Sequence, residues 1–153
     1  MNKYSDYMFR EATKRFIELE GFVNPTSIQK EVIPSACKGR NIVGISATGS
    51  GKTHAFLIPI MEMVNPEIDQ VQAVISAPTR ELATQIYLRC NKMQEADPNL
   101  NIRLIVGGKE KSKMVSSLKK QPHIVIGTPG RIKDLFINEQ VLRVDTAKIF
   151  VVD

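Results

Sequence analysis

The feature that most restricts the fold of this chain is an alternation of short apolar runs with segments of helical spacing. Runs rich in valine and isoleucine predict strands at residues 41–46, 71–77, 102–107, 123–128 and 147–152. Segments with polar residues on one side predict helices between these runs, at Thr53–Met63, Arg80–Met93, Lys111–Leu118 and Arg131–Ile137. Because strand, helix and second strand join by a right-handed crossover, the alternation predicts an α/β fold with an open, mostly parallel sheet and helices on both faces.

Two further helices are predicted ahead of the first apolar run, at Asp6–Glu18 and, after the turn "GFVNPT", at Ser27–Ala36. In an open parallel sheet, ligands bind beyond the carboxyl ends of the strands. We therefore expect the chemistry of this chain at the edge formed by the loops that follow residues 46, 77, 107, 128 and 152.

Composition is that of a soluble globular domain. The chain has 153 residues, of which 42% are hydrophobic and 24% charged, enough for one compact core. No apolar run approaches the ~20 residues that cross a bilayer, and the charged N-terminal stretch lacks the apolar centre of a signal peptide, so we expect a cytoplasmic protein without membrane contact. The spacing of Cys37, Cys90, His54 and His123 matches no metal or redox motif. The two cysteines are predicted to be half-buried structural thiols, and the two histidines to be packing or surface residues.

The segment "SATGSGKT" nearly matches the phosphate-binding pattern GxxxxGK[ST], with Ser46, another small residue, in place of the first glycine. Gly49 and Gly51 allow the backbone amides to point inward, and the following helix directs its positive N-terminus to the same point. Lys52 is predicted to reach the outer phosphates, and the Thr53 hydroxyl to bind magnesium. For the octapeptide by itself, a glycine-rich turn that caps an ordinary helix remains the alternative.

The last predicted strand, "KIFVVD", ends in Asp153. In nucleotide hydrolases, a carboxylate in this place holds the magnesium, directly or through water. Taken alone, Asp153 is typical of a loop acid beyond a strand. Together with the glycine-rich loop it predicts a nucleotide site with Mg²⁺.

Five motifs occur in the order and at the separations of one family. They are "GFVNPTSIQ" at 21–29, "SATGSGKT" at 46–53, "PTRELA" at 78–83, the paired Gly107 and Gly108, and "TPGR" at 128–131. With these motifs the chain resembles the first RecA-like domain of the DEAD-box ATP-dependent RNA helicases, from Tyr4 to Asp153. The resemblance implies a P-loop NTPase fold of the RecA-like type, with ATP and Mg²⁺ as cofactors and RNA as a partner.

The resemblance assigns adenine recognition to Gln29, whose side-chain amide can donate and accept hydrogen bonds at once. It places Tyr4 where the family has an aromatic residue, usually phenylalanine, that stacks on the base. The catalytic residues that it implies are Lys52, Thr53 and Asp153, with the last two holding Mg²⁺. The implied ATP-binding residues are Tyr4, Phe22, Thr26, Gln29, Ser46, Ala47, Thr48, Gly49, Ser50, Gly51, Lys52 and Thr53.

The resemblance also implies a track for the sugar-phosphate backbone of one RNA strand, contacted without sequence selectivity. A net charge of +5 agrees with an anionic partner, although such a charge alone is only a weak indication. Taken singly, the segments "PTRELA" and "TPGR" could be capped turns, with their arginines paired to helix carboxylates. The residues that the resemblance assigns to the track are Pro78, Thr79, Arg80, Gly107, Gly108, Thr128, Gly130 and Arg131.

The family's Asp-Glu-Ala-Asp motif is represented only by Asp153. The resemblance assigns water activation to the glutamate, and charge stabilisation to arginines of a second RecA-like domain, so we expect this chain alone to hydrolyse ATP negligibly. We divide the chain into N-terminal helices with the adenine-recognition motif, 1–38, and an incomplete RecA-like ATP-binding domain, 39–153. The predicted function is that of an ATP hydrolase that unwinds short RNA duplexes; a non-catalytic nucleotide- or RNA-binding module and a DNA-directed superfamily 2 helicase remain the alternatives.

Overall fold

The computed structural model describes residues 2–107 and 111–153. They form two compact units, Met1–Met63 with Glu95–Asp97, and Val64–Gln94 with Pro98–Asp153. Each unit is described by itself. The division at residues 38 and 39 that the sequence predicts stays a prediction.

The first unit is helical. After a short 3-10 turn at Tyr4–Asp6, its helices are α1 (Glu11–Glu20), α2 (Ser27–Cys37) and α3 (Lys52–Met63). Helix α1 is anchored to α3 by polar contacts, because the Arg10 guanidinium donates to the Met61 carbonyl oxygen at 2.7 Å and the Thr13 hydroxyl to a Glu62 carboxylate oxygen at 2.9 Å. The side chains of Phe16 and Leu57 are fully buried in the same unit. Burial of apolar side chains such as these is the main contribution to the stability of the helical unit.

The strand predicted at residues 41–46 is not formed, and this prediction is wrong. The segment has no regular secondary structure, and the side chains of Val43 and Ile45 are 90% and 91% exposed. An apolar run becomes a strand only where a neighbouring strand supplies hydrogen bonds. Among the described residues, no strand pairs with this segment.

The second unit contains a four-stranded parallel sheet. Its strands are β1 (Ala73–Ser76), β2 (Ile102–Ile105), β3 (Ile124–Gly127) and β4 (Ile149–Val152), in the order β2-β3-β1-β4. Residues of β3 are buried throughout, as expected for a strand covered on both faces. Gly127 stands beside both Ser76 and Ile105 in the register, so the carboxyl ends of β1, β2 and β3 meet at one edge. These strands confirm four of the predicted runs and the α/β class.

The helices that accompany this sheet are α4 (Arg80–Arg89), α5 (Asn91–Ala96), α6 (Lys111–Ser117) and α7 (Pro129–Lys133). Helix α7 continues into a π-helical turn at Asp134–Asn138. The sequence predicts one helix from Arg80 to Met93, whereas the structure breaks it at Cys90, whose amide donates to the Tyr87 carbonyl oxygen at 3.0 Å in a tightened last turn. No helix among the described residues is long and apolar enough to cross a membrane.

His123 connects the starts of two strands. It is 1% exposed, and its Nδ1 accepts the Asn101 backbone N–H at 2.9 Å. Its backbone carbonyl accepts the amide of Gln72 at 2.8 Å. His123 is therefore a packing residue, as the sequence predicts.

Strand β4 lies at an edge of the described sheet. Its exposure alternates, with Phe150 63% and Val152 87% exposed. The next residue, Asp153, donates its backbone N–H to the Ser76 carbonyl oxygen at 2.9 Å. This bond continues the pairing with β1 and places Asp153 at the carboxyl edge of the sheet.

Cys37 is expected to react slowly with thiol reagents while the protein is folded. Burial, and then the negative charge of Glu62, raise the pKa of the Cys37 thiol from 9.0 to about 11. The nucleophilic thiolate is therefore scarce near neutral pH. Between pH 9.0 and about 11 the Cys37 thiol keeps its proton in the folded protein and loses it in the unfolded chain. The protonated thiol therefore contributes fully to the stability of the folded state below pH 9.0, and this contribution declines as the pH rises to about 11.

Alkylation by iodoacetamide near pH 8 measures this difference. The Cys90→Ser background removes the other thiol and retains a donor for the Ile86 carbonyl oxygen. The labelling rate of Cys37 should be at least about tenfold lower in the native protein than in urea. Equal rates in the two states would contradict the raised pKa.

Candidate functional site

The glycine-rich loop forms a tight turn that opens α3. Gly49 and Gly51 have φ angles of 83° and 89°, in the left-handed region that favours glycine. The Ser50 amide donates to the Ala47 carbonyl oxygen at 3.2 Å, and the Ala55 amide to that of Gly51 at 3.1 Å, which begins the helix. A helix N-terminus directs backbone amides and a positive partial charge to the point where this turn ends, and the loop therefore has the geometry of an anion site.

Gly51 is required by close approach as well as by its φ angle. A β-carbon at this position would lie 2.6 Å from Gln29 Nε2 and 2.9 Å from Thr26 Oγ1. Such distances do not occur between real atoms of these kinds, so any other residue would push the loop away from the start of α2. The loop and α2 are fitted to each other at this glycine.

Ser46, the departure from the phosphate-loop pattern, has a role in the loop. Its Oγ lies 2.7 Å from the Oγ of Ser50, a hydrogen bond that spans the turn. The sequence predicts only that a small residue is tolerated there. This bond forms because the loop turns back on itself, and the sequence pattern of the loop does not predict it.

Gln29 connects the start of α2 to the phosphate loop. Thr26 caps α2, and its backbone N–H donates to Gln29 Oε1 at 2.9 Å in a reciprocal capping box. Gln29 Nε2 donates to the Gly51 carbonyl oxygen at 3.1 Å. The side chain is only 3% exposed, so these bonds form in a shielded environment.

Tyr4 and Phe22 form an aromatic pair next to Gln29. Their rings stack with centroids 6.4 Å apart, and the Tyr4 backbone N–H donates to the Val23 carbonyl oxygen at 2.9 Å. The Tyr4 hydroxyl donates to Gln29 Oε1. Burial, and then the proximity of Tyr7, raise the pKa of Tyr4, so the hydroxyl keeps its proton. Stacking of Tyr4 on adenine stays a prediction.

His54, the residue after Thr53, joins α3 to the end of α1. Its Nε2 lies 2.9 Å from a Glu20 carboxylate oxygen, and its ring meets Phe22 edge-on with centroids 4.8 Å apart. The side chain is 5% exposed, which confirms the predicted packing role. The contact with Glu20 is not visible in the sequence, because the two residues are distant in the chain.

The residues assigned to the RNA track meet at the carboxyl edge of the sheet. Arg80 Nη1 donates to the Gly107 carbonyl oxygen at 3.2 Å. Arg131 Nη2 lies 3.6 Å from the point where a β-carbon of Gly107 would stand. Two guanidinium groups, from the helices that follow β1 and β3, therefore converge on the loop after β2. Gly108, the second of the paired glycines, lies outside the described residues.

A threonine stands at the N-cap position of each helix that follows β1 and β3, and only Thr79 makes a side-chain capping bond. Thr79 accepts the Leu82 amide at 3.1 Å, and Thr128 precedes α7 in an extended conformation. Pro78, Thr79, Arg80 and Gly130 are exposed. The other described residues of the predicted RNA track, Gly107, Thr128 and Arg131, are half-buried at the same edge.

Acidic neighbours balance part of the charge at this edge. Arg131 Nη1 lies 3.4 Å from an Asp134 carboxylate oxygen, and Lys111 Nζ lies 2.9 Å from the same oxygen. Lys111 first, then Asn138, holds the pKa of the Asp134 carboxyl below its ordinary value. Asp134 is therefore ionised at neutral pH and orients Arg131.

The predicted magnesium ligands lie in different units. Thr53 is in the first turn of α3, and Asp153 follows β4. Each side chain is half-buried and each offers oxygen, the donor that Mg²⁺ prefers. Their convergence on one ion stays a prediction.

Comparison with known proteins gives a consistent family. Residues 26–153 match the family model described as DEAD/DEAH box helicase. The chain is 47% identical over 153 residues to the DEAD-box ATP-dependent RNA helicase CshB of Listeria monocytogenes, covering 99% of this chain and 35% of that protein. It is 49% identical over 135 residues to CshB of Bacillus subtilis, covering 87% and 31%. The chain thus spans about a third of the length of these relatives.

Solved structures agree with this assignment. A DEAD box protein from the hyperthermophile Methanococcus jannaschii is 38% identical, with a TM-score of 0.90, and the match covers 100% of this chain and 41% of that one. A Dbp5 variant from S. cerevisiae, bound to RNA and ADP BeF3, is 30% identical, with a TM-score of 0.86 over 100% of this chain and 38% of that one. The RecA-like fold that the motifs predict is confirmed, and the chain belongs to the DEAD/DEAH box helicase family.

Proposed function

We propose that this chain is the ATP-binding part of an ATP-dependent RNA helicase, which couples ATP binding and hydrolysis to local unwinding of RNA duplexes. The observation that carries the proposal is the glycine-rich loop at the start of α3, held to Gln29 by the Gly51 carbonyl. The names of the curated relatives and the RNA and ADP BeF3 bound to a structural neighbour support it. Such an activity requires a second RecA-like domain, and the chain alone is expected to be inactive.

The nucleotide site would combine amides, a lysine and a metal. Lys52 is exposed at the first position of α3, where it would approach the outer phosphates as a point charge. The oxygen donors of Thr53 and Asp153 fit Mg²⁺, and these two residues would hold it. The bound ion would neutralise phosphate charge. Gln29 would recognise adenine from the first turn of α2, next to Gly51 of the phosphate loop.

The RNA site would be the arginine pair around Gly107. Arg80 and Arg131 both reach this loop, and bidentate guanidinium groups suit phosphate oxygens. Phosphate contacts position a strand without reading its bases. We therefore propose RNA binding without sequence selectivity at the carboxyl edge of the sheet, in a cytoplasmic protein.

Hydrolysis by the full-length protein tests this function. We expect ATP turnover that RNA stimulates and DNA does not, with GTP a poor substrate. Stimulation by DNA would instead support a DNA-directed helicase. Nucleotide binding without turnover in the presence of RNA would support a non-catalytic module.

Replacing Arg131 by alanine should weaken RNA binding for all sequences alike. Loss of one phosphate contact should reduce the slope of log affinity against log salt by about one. Fluorescence anisotropy of a labelled single strand at several salt concentrations measures both effects.

Arg143→Ala is the matched control. Arg143 pairs with Asp145 at 3.0 Å, and its backbone N–H donates to Gln121 at 2.7 Å. Gln121 precedes β3, so Arg143 lies near the amino ends of the strands, away from the arginine pair. An equal loss of affinity in the two variants would remove Arg131 from the RNA site.

A further inference from the structure

Asp134 is a carboxylate beside Arg131 whose two oxygens are both engaged by other groups. Oδ1 accepts a hydrogen bond from the Asn138 side-chain amide at 3.0 Å, and Oδ2 lies 2.9 Å from Lys111 Nζ. The contact of Oδ2 with Arg131 Nη1 is longer, at 3.4 Å, near the outer limit of a hydrogen bond. Asp134 therefore binds Lys111 more closely than it binds Arg131.

The guanidinium of Arg131 is held loosely by this carboxylate. A guanidinium pairs most strongly with a carboxylate when two parallel N–H donors meet the two oxygens. In the part of the chain that the structure describes, Arg131 does not form this pair, because Asn138 and Lys111 compete with it for both oxygens. Its other terminal nitrogen, Nη2, stands beside Gly107, the residue that Arg80 also reaches. Arg131 is thus kept at the carboxyl edge of the sheet.

Lys111 lies between two carboxylates. Besides its contact with Asp134, its Nζ lies 2.7 Å from a Glu139 carboxylate oxygen. Hydrogen bonds to Asp134 and then to Glu139 raise the pKa of the Lys111 ammonium, so it is charged at neutral pH. The ammonium therefore compensates the negative charge that stands nearest to Arg131.

The approach of Lys111 to Asp134 is determined by packing beneath the surface. Lys111 begins α6, and Met114, one turn later on this helix, belongs to the buried apolar cluster of the second unit. Ile132 and Leu135, on either side of Asp134 in the chain, belong to the same cluster. Residues three apart on a helix are neighbours on its surface. The fold therefore presents Lys111 to Asp134.

We propose that Lys111 is a positioning residue for RNA binding: it engages Asp134, so that the Arg131 guanidinium stays available to phosphate oxygens instead of closing onto this carboxylate. This inference rests on the proposed RNA site at the carboxyl edge of the sheet. Without Lys111, Asp134 keeps its negative charge and loses its nearest cation. Arg131 then moves into a two-bond pair with Asp134, and a phosphate has to compete with that pair.

The RNA affinity of the full-length protein tests this role. Fluorescence anisotropy of a labelled single strand compares the wild type with Lys111→Met, which keeps an unbranched apolar side chain and removes its charge. Affinity should fall about fivefold, within the range of coupling between neighbouring charged groups. Lys111→Arg retains the positive charge and should bind RNA like the wild type.

Lys133→Met is the matched control. Lys133 is exposed in the last turn of α7, directly before Asp134 in the chain. Its substitution removes one positive charge close to Arg131 and leaves the Lys111 contact with Asp134 in place. Because an exposed charge is screened by salt, RNA affinity of this variant should fall by less than about twofold.

Two further backgrounds separate positioning from a direct contact. In Asp134→Asn the carboxylate that would capture Arg131 is absent, so adding Lys111→Met should cause no further loss of affinity. The same is expected in Arg131→Ala, because the residue through which Lys111 acts is absent. A phosphate contact of Lys111 itself, or a general loss of positive charge, would instead lower affinity equally in the wild-type and both variant backgrounds.

Three results would overturn the role of Lys111: wild-type affinity of Lys111→Met, an equal loss in Lys133→Met, or a loss that persists in the Asp134→Asn and Arg131→Ala backgrounds. These results leave the proposed function intact as long as Arg131→Ala by itself weakens RNA binding. No RNA binding by the wild-type protein, or full affinity of Arg131→Ala, would overturn the proposed RNA site and this inference with it.

Discussion

Replacing Lys52 by alanine is expected to abolish ATP turnover by the full-length protein. Lys52 is the first residue of α3 and lies beside the loop amides, where its charge would stabilise the phosphates as negative charge moves in the transition state. Removal of one such group costs on the order of a hundred- to a thousandfold in rate. Phosphate release at saturating RNA and ATP measures the loss.

Lys38→Ala serves as its control. Lys38 caps the C-terminus of α2, is also exposed, and is not part of the phosphate loop. The control variant should turn over ATP at the wild-type rate, and circular dichroism should show equal helix content in both variants. Near-normal turnover by Lys52→Ala would overturn the assignment of the phosphate loop.

The largest expected effect on stability is that of Gly127→Ala. A methyl group on Gly127 would overlap the Ile105 carbonyl oxygen and lie 3.1 Å from both Ile105 Cβ and Ile132 Cγ1. Strand β3 is bonded to a strand on each side, so it cannot move away from β2 without loss of ladder hydrogen bonds. The free energy of unfolding should fall by about 3 kcal/mol, at the upper end for overpacked cores.

Urea unfolding followed by circular dichroism measures this loss, and Gly130→Ala is the matched control. A β-carbon on Gly130 would meet no atom of the described residues outside its own helix within 4 Å, and the residue lies inside α7. Alanine there should leave stability unchanged or raise it by up to about 1 kcal/mol, because alanine has the higher helix propensity. Equal stability of the two variants would contradict the close packing of Gly127.

Features that depend on neighbouring residues were predictable. The runs that became β1 to β4 were identified by their β-branched, apolar composition, since a strand buried on both faces needs it. The glycines of the phosphate loop were identified because left-handed backbone angles favour glycine. Once the strands were known to be parallel, the meeting of Arg80, Gly107 and Arg131 at one edge followed from topology.

Features that depend on distant partners were not predictable. The run at residues 41–46 has the composition of a strand, yet strand formation requires a partner, and the described chain supplies none. The pairing of Glu20 with His54 joins residues from separate helices. No periodicity or spacing reports such contacts.

The sequence by itself determined the α/β class, the order of the motifs and the residue types at the phosphate loop, because these depend on local backbone geometry and side-chain chemistry. Only the tertiary structure decided how the Gln29 amide is used. Its partners Tyr4 and Gly51 lie 25 and 22 residues away in the chain, and their approach depends on packing of the helical unit. The residue type decides how many hydrogen bonds the Gln29 amide can donate and accept, whereas the fold decides which groups are its partners.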